Sequence, residues 1–154
     1  MGDRVPQSPQ GNIGSVKIWI YYIGRAKDGN ANGMTEEYLK RVSRYVKCAM
    51  AEIRPERVNP WEKHGAALKV LLDPGGDVID SRQFCAWIGK LEMEGRDVCF
   101  LLGGADGLPE QWRRKQAIRL SLSAMTYSHE LALAMLAEQI YRAYTALRGH
   151  PYPR

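Results

Sequence analysis

Residues 99–112 read CFLLGGADGLPEQW. An apolar run from Val98 to Leu102 breaks at Gly103-Gly104, Gly107 follows, and Pro109 opens what reads as a helix. A short continuous apolar run bounded by glycines predicts a strand buried on both faces, as inner strands of a parallel sheet are. Strand, glycines and helix in that order commonly cradle a phosphate or a nucleotide. The spacing is neither G-x-G-x-x-G nor G-x-x-x-x-G-K-[ST], however, so the loop names no ligand by itself.

Working outward, strands and helices alternate. VKIWIYYIG (16–24) is β-branched and aromatic and ends in Gly, which predicts a strand. TEEYLKRVSRYVKCA (35–49) puts Tyr38, Val42, Tyr45, Val46 and Ala49 on one helical face, with Thr35 as its cap. MAEI (50–53) reads as a second strand. ALKVLLD (67–73) reads as a third, stopped by Pro74-Gly75-Gly76. SRQFCAWIGKLEME (81–94) is a helix capped by Ser81, with Phe84, Trp87, Ile88 and Leu91 apolar. A short helix (109–117), a strand (118–123) and a last long helix (130–147) follow. The inward face of that helix is Leu133, Leu136, Ile140, Tyr144 and Leu147. The alternation predicts an α/β fold: one mostly parallel sheet flanked by helices.

Ligands of such sheets bind beyond the carboxyl ends of the strands. Three strand ends carry suitable loops: 72–76, 102–107 and 122–127. None of the three contains Lys or Arg, which disfavours a triphosphate. Backbone N–H and C=O groups framed by Leu, Ala and Met suit a flat, neutral heterocycle, and so an adenine-bearing cofactor.

The chain has 154 residues, enough for one domain with a real core. Apolar residues make up 45% and charged residues 25%, a globular and not a disordered composition. Lys plus Arg number 22 against 17 Asp plus Glu, and the resulting +5 mildly favours a polyanionic partner. No apolar run approaches the ~18 residues of a membrane span, and no apolar signal core opens the chain. Cys48, Cys85 and Cys99 lack zinc-like spacing and read as reduced thiols of a cytoplasmic protein without a metal. MGDRVPQSPQGNIG (1–14) is polar and aperiodic and is expected to be a disordered leader, with a single domain over 15–154.

GRDVCFLLGGADGL, LSLSAMTYSHELA, LAEQIYRAY and the terminal HPYPR together resemble the SPOUT-class methyltransferases that modify N3 of pseudouridine in large-subunit (23S) ribosomal RNA. The resemblance runs from about Leu68 to Arg154, and more weakly over residues 16–53. It implies a one-domain α/β fold with a C-terminal trefoil knot, a homodimer, S-adenosyl-L-methionine as cofactor, and ribosomal RNA or the ribosome as partner. By the same resemblance Leu72, Gly103, Gly104 and the segment Leu122, Ser123, Ala124, Met125, Thr126 and Tyr127 would surround the cofactor. The departure lies in RPERVNPWEKHGA, where a substantial crossover helix is expected and only about a dozen residues stand, with Pro55 and Pro60 among them; that helix is shortened or lost. Alternatives within reach of the same residues are a SPOUT enzyme acting on transfer RNA, and a non-catalytic dimer that binds RNA or the ribosome.

Single residues carry two readings each. His129 is a first-turn helix residue or a site residue. Arg142 forms a surface i, i+4 pair with Glu138 or turns toward RNA or a partner subunit. Arg113, Arg114 and Lys115 are a solvated face or phosphate contacts. The tail carrying His150, Tyr152 and Arg154 is a frayed end or, by the resemblance, folds over the active site. The imide N3 of a uracil-type ring is a weak nucleophile until its proton leaves, so a base or an anion-stabilising donor is wanted. Asp106, His129 and Tyr152 are the candidates.

Overall fold

A computed structural model describes residues 16–152 of the chain. The expected leader over 1–14 and the terminal Arg154 lie outside the described residues. Five strands, β1 (Lys17–Ile23), β2 (Lys47–Ile53), β3 (Leu68–Val78), β4 (Val98–Leu102) and β5 (Ile118–Ser121), form one sheet. Their order is β2-β1-β4-β3-β5, and every neighbouring pair is parallel. Parallel neighbours need crossovers. These contain helices α1 (Gly29–Val42), α2 (Pro60–Lys63), α3 (Ser81–Glu94) and α4 (Glu110–Arg113), and α5 (His129–Leu147) follows β5.

The two-residue period of the strands sorts their side chains into two cores. Ile18, Ile20, Val70, Val98, Phe100 and Leu102 meet Phe84, Ile88 and Leu91 of α3 and Leu133, Leu136 and Ile140 of α5. On the opposite face Tyr21, Leu71, Cys99 and Leu101 meet Leu108 and Trp112, with Trp61 packed alongside. All five residues of β4 are therefore buried, which is why VCFLL shows no alternation. Each fully buried large apolar side chain contributes roughly 1.5–3 kcal/mol. Truncating Phe100 to Ala would cost about 3–5 kcal/mol, because the ring is closed in by Phe84 and Trp87.

Several boundaries differ from the sequence reading. The first helix starts at Gly29, because Asp28 accepts the N–H groups of Asn30 and Ala31 and caps it. Thr35 is no cap: it is buried mid-helix, its hydroxyl donating to Ala31 O at 3.0 Å. That helix ends at Val42, and the chain is already a strand at Lys47, paired with Lys17. β3 does not stop at Pro74-Gly75-Gly76. It runs on to Val78, with a register shift between Leu72 and Asp77 against β5. Gly76 permits this, since a Cβ there would stand 2.7 Å from the Arg119 carbonyl carbon. Asp80, not Ser81, caps α3, in a reciprocal box with Gln83. The helix expected over 109–117 is only Glu110–Arg113, and the strand expected over 118–123 ends at Ser121. Leu147 is 37% exposed, although the other four inward residues named for α5 are buried.

The crossover between β2 and β3 is indeed reduced to a single turn of helix. Asn59 caps α2, Pro60 occupies its first turn, and Trp61 anchors it: the indole Nε1 donates to Gln116 O at 3.3 Å and the ring lies 6.1 Å from that of Trp112. A proline at this position lacks an N–H the helix could not use.

Candidate active site

The carboxyl ends of β4 and β5 and the irregularity that follows Leu72 in β3, on three adjacent strands, surround a cavity of about 430 Å³. Leu72, Gly103, Gly104, Leu122, Ser123, Met125, Thr126 and Tyr127 line it, as does His129. Ala124 does not, although its neighbours do, and neither does Asp106. Asp73 and Pro74, from the loop 72–76 that the sequence offered, line the same space, as do Arg113 of the basic triplet and Leu108 and Ser121, which the sequence reading did not single out.

The glycines have a reason beyond close approach to a ligand. A Cβ on Gly103 would overlap the backbone at Gly107 and Leu108, and one on Gly104 would stand 2.6 Å from Ile23 O. Gly107 has φ 79°, donates its N–H to Gly104 O at 3.0 Å, and bridges back to it. The loop is thus folded tightly on itself and on the end of β1, and this compact wall leaves the cavity open beside it. The segment after β5 is held differently. Ser121 donates its hydroxyl to Ser123 O at 2.6 Å, and Met125 donates its N–H to Ser123 Oγ at 3.0 Å. The chain turns there without regular structure, so its backbone groups remain available at the rim.

Charge enters from one place the loops did not announce. Arg113, in the last turn of α4, donates to Leu108 O at 3.3 Å and pairs with Asp73 at 3.4 Å. Of the basic triplet, Arg113 therefore turns to the cavity, while Arg114 pairs with Glu110 on its own helix. The only sequence clue was the triplet, because an ion pair between a strand end and a helix three elements away leaves no spacing to read.

Ser128 caps α5 by accepting the Leu131 N–H, and places His129 and Glu130 in the first turn. His129 Nε2 lies 3.2 Å from Arg25 O and its Nδ1 3.5 Å from Glu130 Oε1. Arg142 and Tyr152 are elsewhere. Arg142 makes the i, i+4 pair with Glu138, at 2.7 Å. Tyr152 donates its hydroxyl to the same carboxylate at 2.5 Å, with its ring 4.7 Å from that of Tyr141. Burial, and then the bond to Glu138, push the Tyr152 phenol well above its ordinary range, so it stays a proton donor. Arg142 stands thirteen helical steps from His129, roughly 20 Å at 1.5 Å per residue. Within one chain neither Arg142 nor Tyr152 lines the cavity.

Among the described residues no group of three or more His, Cys, Asp or Glu side chains gathers as a metal site. No helix among them is long and apolar enough to cross a membrane.

A parallel sheet with a largely apolar cavity between three adjacent strands, two of which end there, defines an α/β domain built to hold a small organic ligand. The chain belongs to the SPOUT methyltransferase family: the model described as "Predicted SPOUT methyltransferase" matches residues 16–153. It is 56% identical over 139 residues to the ribosomal RNA large subunit methyltransferase H of Solibacter usitatus, covering 90% of this chain and all of that protein. It is 38% identical to the protein of the same name from Sorangium cellulosum, covering 89% of this chain and 99% of that one. The fold is also that of a probable methylase family protein from Haemophilus influenzae, with a TM-score of 0.60 at 9% identity over 91% of this chain and 70% of that one. A probable methyltransferase from Bordetella pertussis matches with a TM-score of 0.55 at 12% identity, covering 89% of this chain and 98% of that one. This chain is therefore a methyltransferase, and its chemistry requires a methyl donor.

Proposed function

We propose that the protein transfers a methyl group from S-adenosyl-L-methionine to N3 of a pseudouridine in large-subunit ribosomal RNA, working as a cytoplasmic homodimer with the trefoil knot of its class. The observation that carries the reading is the cavity at the ends of β4 and β5 and the irregular middle of β3, with its glycine wall and its irregular 122–127 rim. Its volume, about 430 Å³, falls in the range of sites that bury a nucleotide-sized ligand. Its lining fits this cofactor. Leu72, Leu122 and Met125 offer apolar surface to a flat base, and the backbone of 122–127 offers donors and acceptors. The Asp73–Arg113 pair offers both signs of charge to a zwitterionic amino-acid end.

The sulfonium of the cofactor supplies an electrophilic methyl. What remains for the protein is alignment and a proton. Alignment of acceptor nitrogen and methyl can supply up to ~7–11 kcal/mol of the barrier. The N3 proton must leave, and negative charge then spreads onto the two flanking carbonyls of the ring. Donors aimed at those oxygens lower the barrier. Arg142 and Tyr152 are donors of this kind, but neither lines the cavity of its own chain, and both are held on Glu138. The same residues of a second copy would reach it, which makes the dimer part of the chemistry. His129, at the cavity's edge beside Arg25 O and Glu130, is the nearer candidate for moving the proton.

Methyl transfer from labelled S-adenosylmethionine to purified ribosomal particles and to transfer RNA tests the reading. Transfer to transfer RNA alone supports the alternative SPOUT substrate. RNA binding without transfer supports the non-catalytic dimer.

A further inference from the structure

The segment 24–28 joins β1 to α1 and carries two exposed cations, Arg25 and Lys27, that the cofactor site does not use. It is seated on the cavity's rim from several sides. Glu130, in the first turn of α5, accepts the backbone N–H of Lys27 at 2.9 Å and of Asp28 at 3.2 Å. These are charge-assisted bonds, and they hold the Glu130 carboxyl below its ordinary range. The cavity residue His129 lies 3.2 Å from Arg25 O, and Asn32 donates its side-chain amide to Ala26 O at 3.0 Å. Gly104, also a cavity residue, is packed against Ile23 O at the loop's entrance. The anchoring is all to backbone, and among the described residues no carboxylate pairs with Arg25 or Lys27.

We propose that Glu130 is a positioning residue that locks the 24–28 loop to the rim, so that Arg25 and Lys27 hold the phosphate backbone of the RNA beside the nucleotide entering the cavity. The proposal rests on the ribosomal RNA reading above. A short loop with two long cations would otherwise lose conformational freedom when RNA binds; a loop ordered beforehand does not, and binds more tightly. Contacts to phosphate fix register without reading sequence, which suits an enzyme that must place one base. Glu130 is itself an anion near a polyanion. If it acted only through space, its removal would strengthen RNA binding; the proposal requires the opposite.

The test measures affinity for a large-subunit ribosomal RNA fragment carrying the target pseudouridine, across a salt series. Calorimetry of S-adenosylmethionine binding and a thermal melt accompany each protein. Arg25→Ala/Lys27→Ala should bind the fragment at least about fivefold more weakly. Its plot of log affinity against log salt should be shallower by about 1.4, as for two lost single-strand phosphate contacts. Glu130→Ala should lose at least about threefold and also flatten that slope, with cofactor affinity within about twofold of wild type. Glu130→Gln, which keeps an acceptor for the loop, should recover most of the RNA affinity. A folded Glu130→Ala protein that binds RNA as tightly as wild type, or more tightly, with an unchanged slope overturns the proposal. So does a double variant indistinguishable from wild type, and that variant changes only exposed side chains. A wild type that methylates no ribosomal RNA fails the parent reading and takes this inference with it.

Discussion

The hydroxyl of Tyr152 donates to Glu138 at 2.5 Å, and Glu138 also takes Arg142 at 2.7 Å. One carboxylate thus gathers the tail and the helix's guanidinium at a single point, and the Arg142 guanidinium lies 5.6 Å over the Tyr152 ring. Gly149, in the left-handed region at φ 73°, turns the chain back so that the tail lies along α5. Removing residues 150–154 should leave the fold and cofactor binding nearly intact. Methyl transfer should fall at least ~tenfold, about 1.4 kcal/mol of transition-state stabilisation. Tyr152→Ala should reproduce much of that loss. Equal turnover on ribosomal particles for wild type and truncation would show that the tail is only a helix ornament.

The glycine wall makes a second prediction about stability and not only binding. Because a Cβ on Gly103 meets the backbone at Gly107 and Leu108, Gly103→Ala should destabilise the protein by roughly 1–3 kcal/mol, as overpacking does, and weaken cofactor binding with it. Gly33→Ala is the contrast. Nothing lies within 4 Å of its Cβ position, inside α1, so it should stabilise by up to about 1 kcal/mol. Thermal melts of the two variants moving in the same direction would contradict this account of the loop.

Much of this was legible in the sequence. The run from Val98 to Leu102 has no polar residue because both faces of the sheet are covered there, and that pattern survives without knowledge of the partners. The 122–127 rim was legible from its small and apolar residues at a strand end. Pro74-Gly75-Gly76 misled because turn residues usually end a strand. Here Gly76 instead admits the Arg119 backbone, and pairing resumes at Asp77. Thr35 looked like a cap because nothing local distinguishes a capping Thr from one bonding back to residue 31; the true cap, Asp28, stands outside the apolar pattern. Asp73 with Arg113, and Glu130 with the 24–28 loop, join residues distant in sequence. Only the sheet order brings them together.

A third prediction concerns acid. His64 stacks on Trp19 with centroids 4.0 Å apart, and its Nε2 lies 2.7 Å from the Tyr21 hydroxyl. Burial, with help from Lys63 and Lys69, lowers its pKa below 6.5. The folded state therefore binds fewer protons at His64 than the unfolded chain does. The stability it contributes is intact above about pH 6.5 and is lost as pH falls through the lowered value. Denaturant unfolding at pH 7.5 and at pH 5.5 should show wild type losing more stability than His64→Gln. An equal loss in the two proteins would remove His64 from the account.

Assembly is the fourth. Arg142 lies about 20 Å from the His129 end of α5 by helical rise, Tyr152 is held on Glu138 of the same helix, and neither lines the cavity of its own chain; the shared-site reading therefore predicts that a second copy supplies them. Sedimentation should find a dimer at micromolar concentration. Mixing a Tyr152→Ala protein with one disabled in the cavity by Gly103→Val should restore up to about a quarter of wild-type turnover per mixed population, since the mixed dimer keeps one intact site. A fully active monomer would contradict the shared site.

The most direct measurement of the central claim is the identity of the methylated nucleoside. Large ribosomal subunits lacking the modification, incubated with the protein and labelled S-adenosylmethionine, should yield label in 3-methylpseudouridine after digestion and chromatography. Arg113→Ala, which removes the one guanidinium lining the cavity among the described residues, should reduce it. Label in any other nucleoside, or label confined to transfer RNA, would contradict the account.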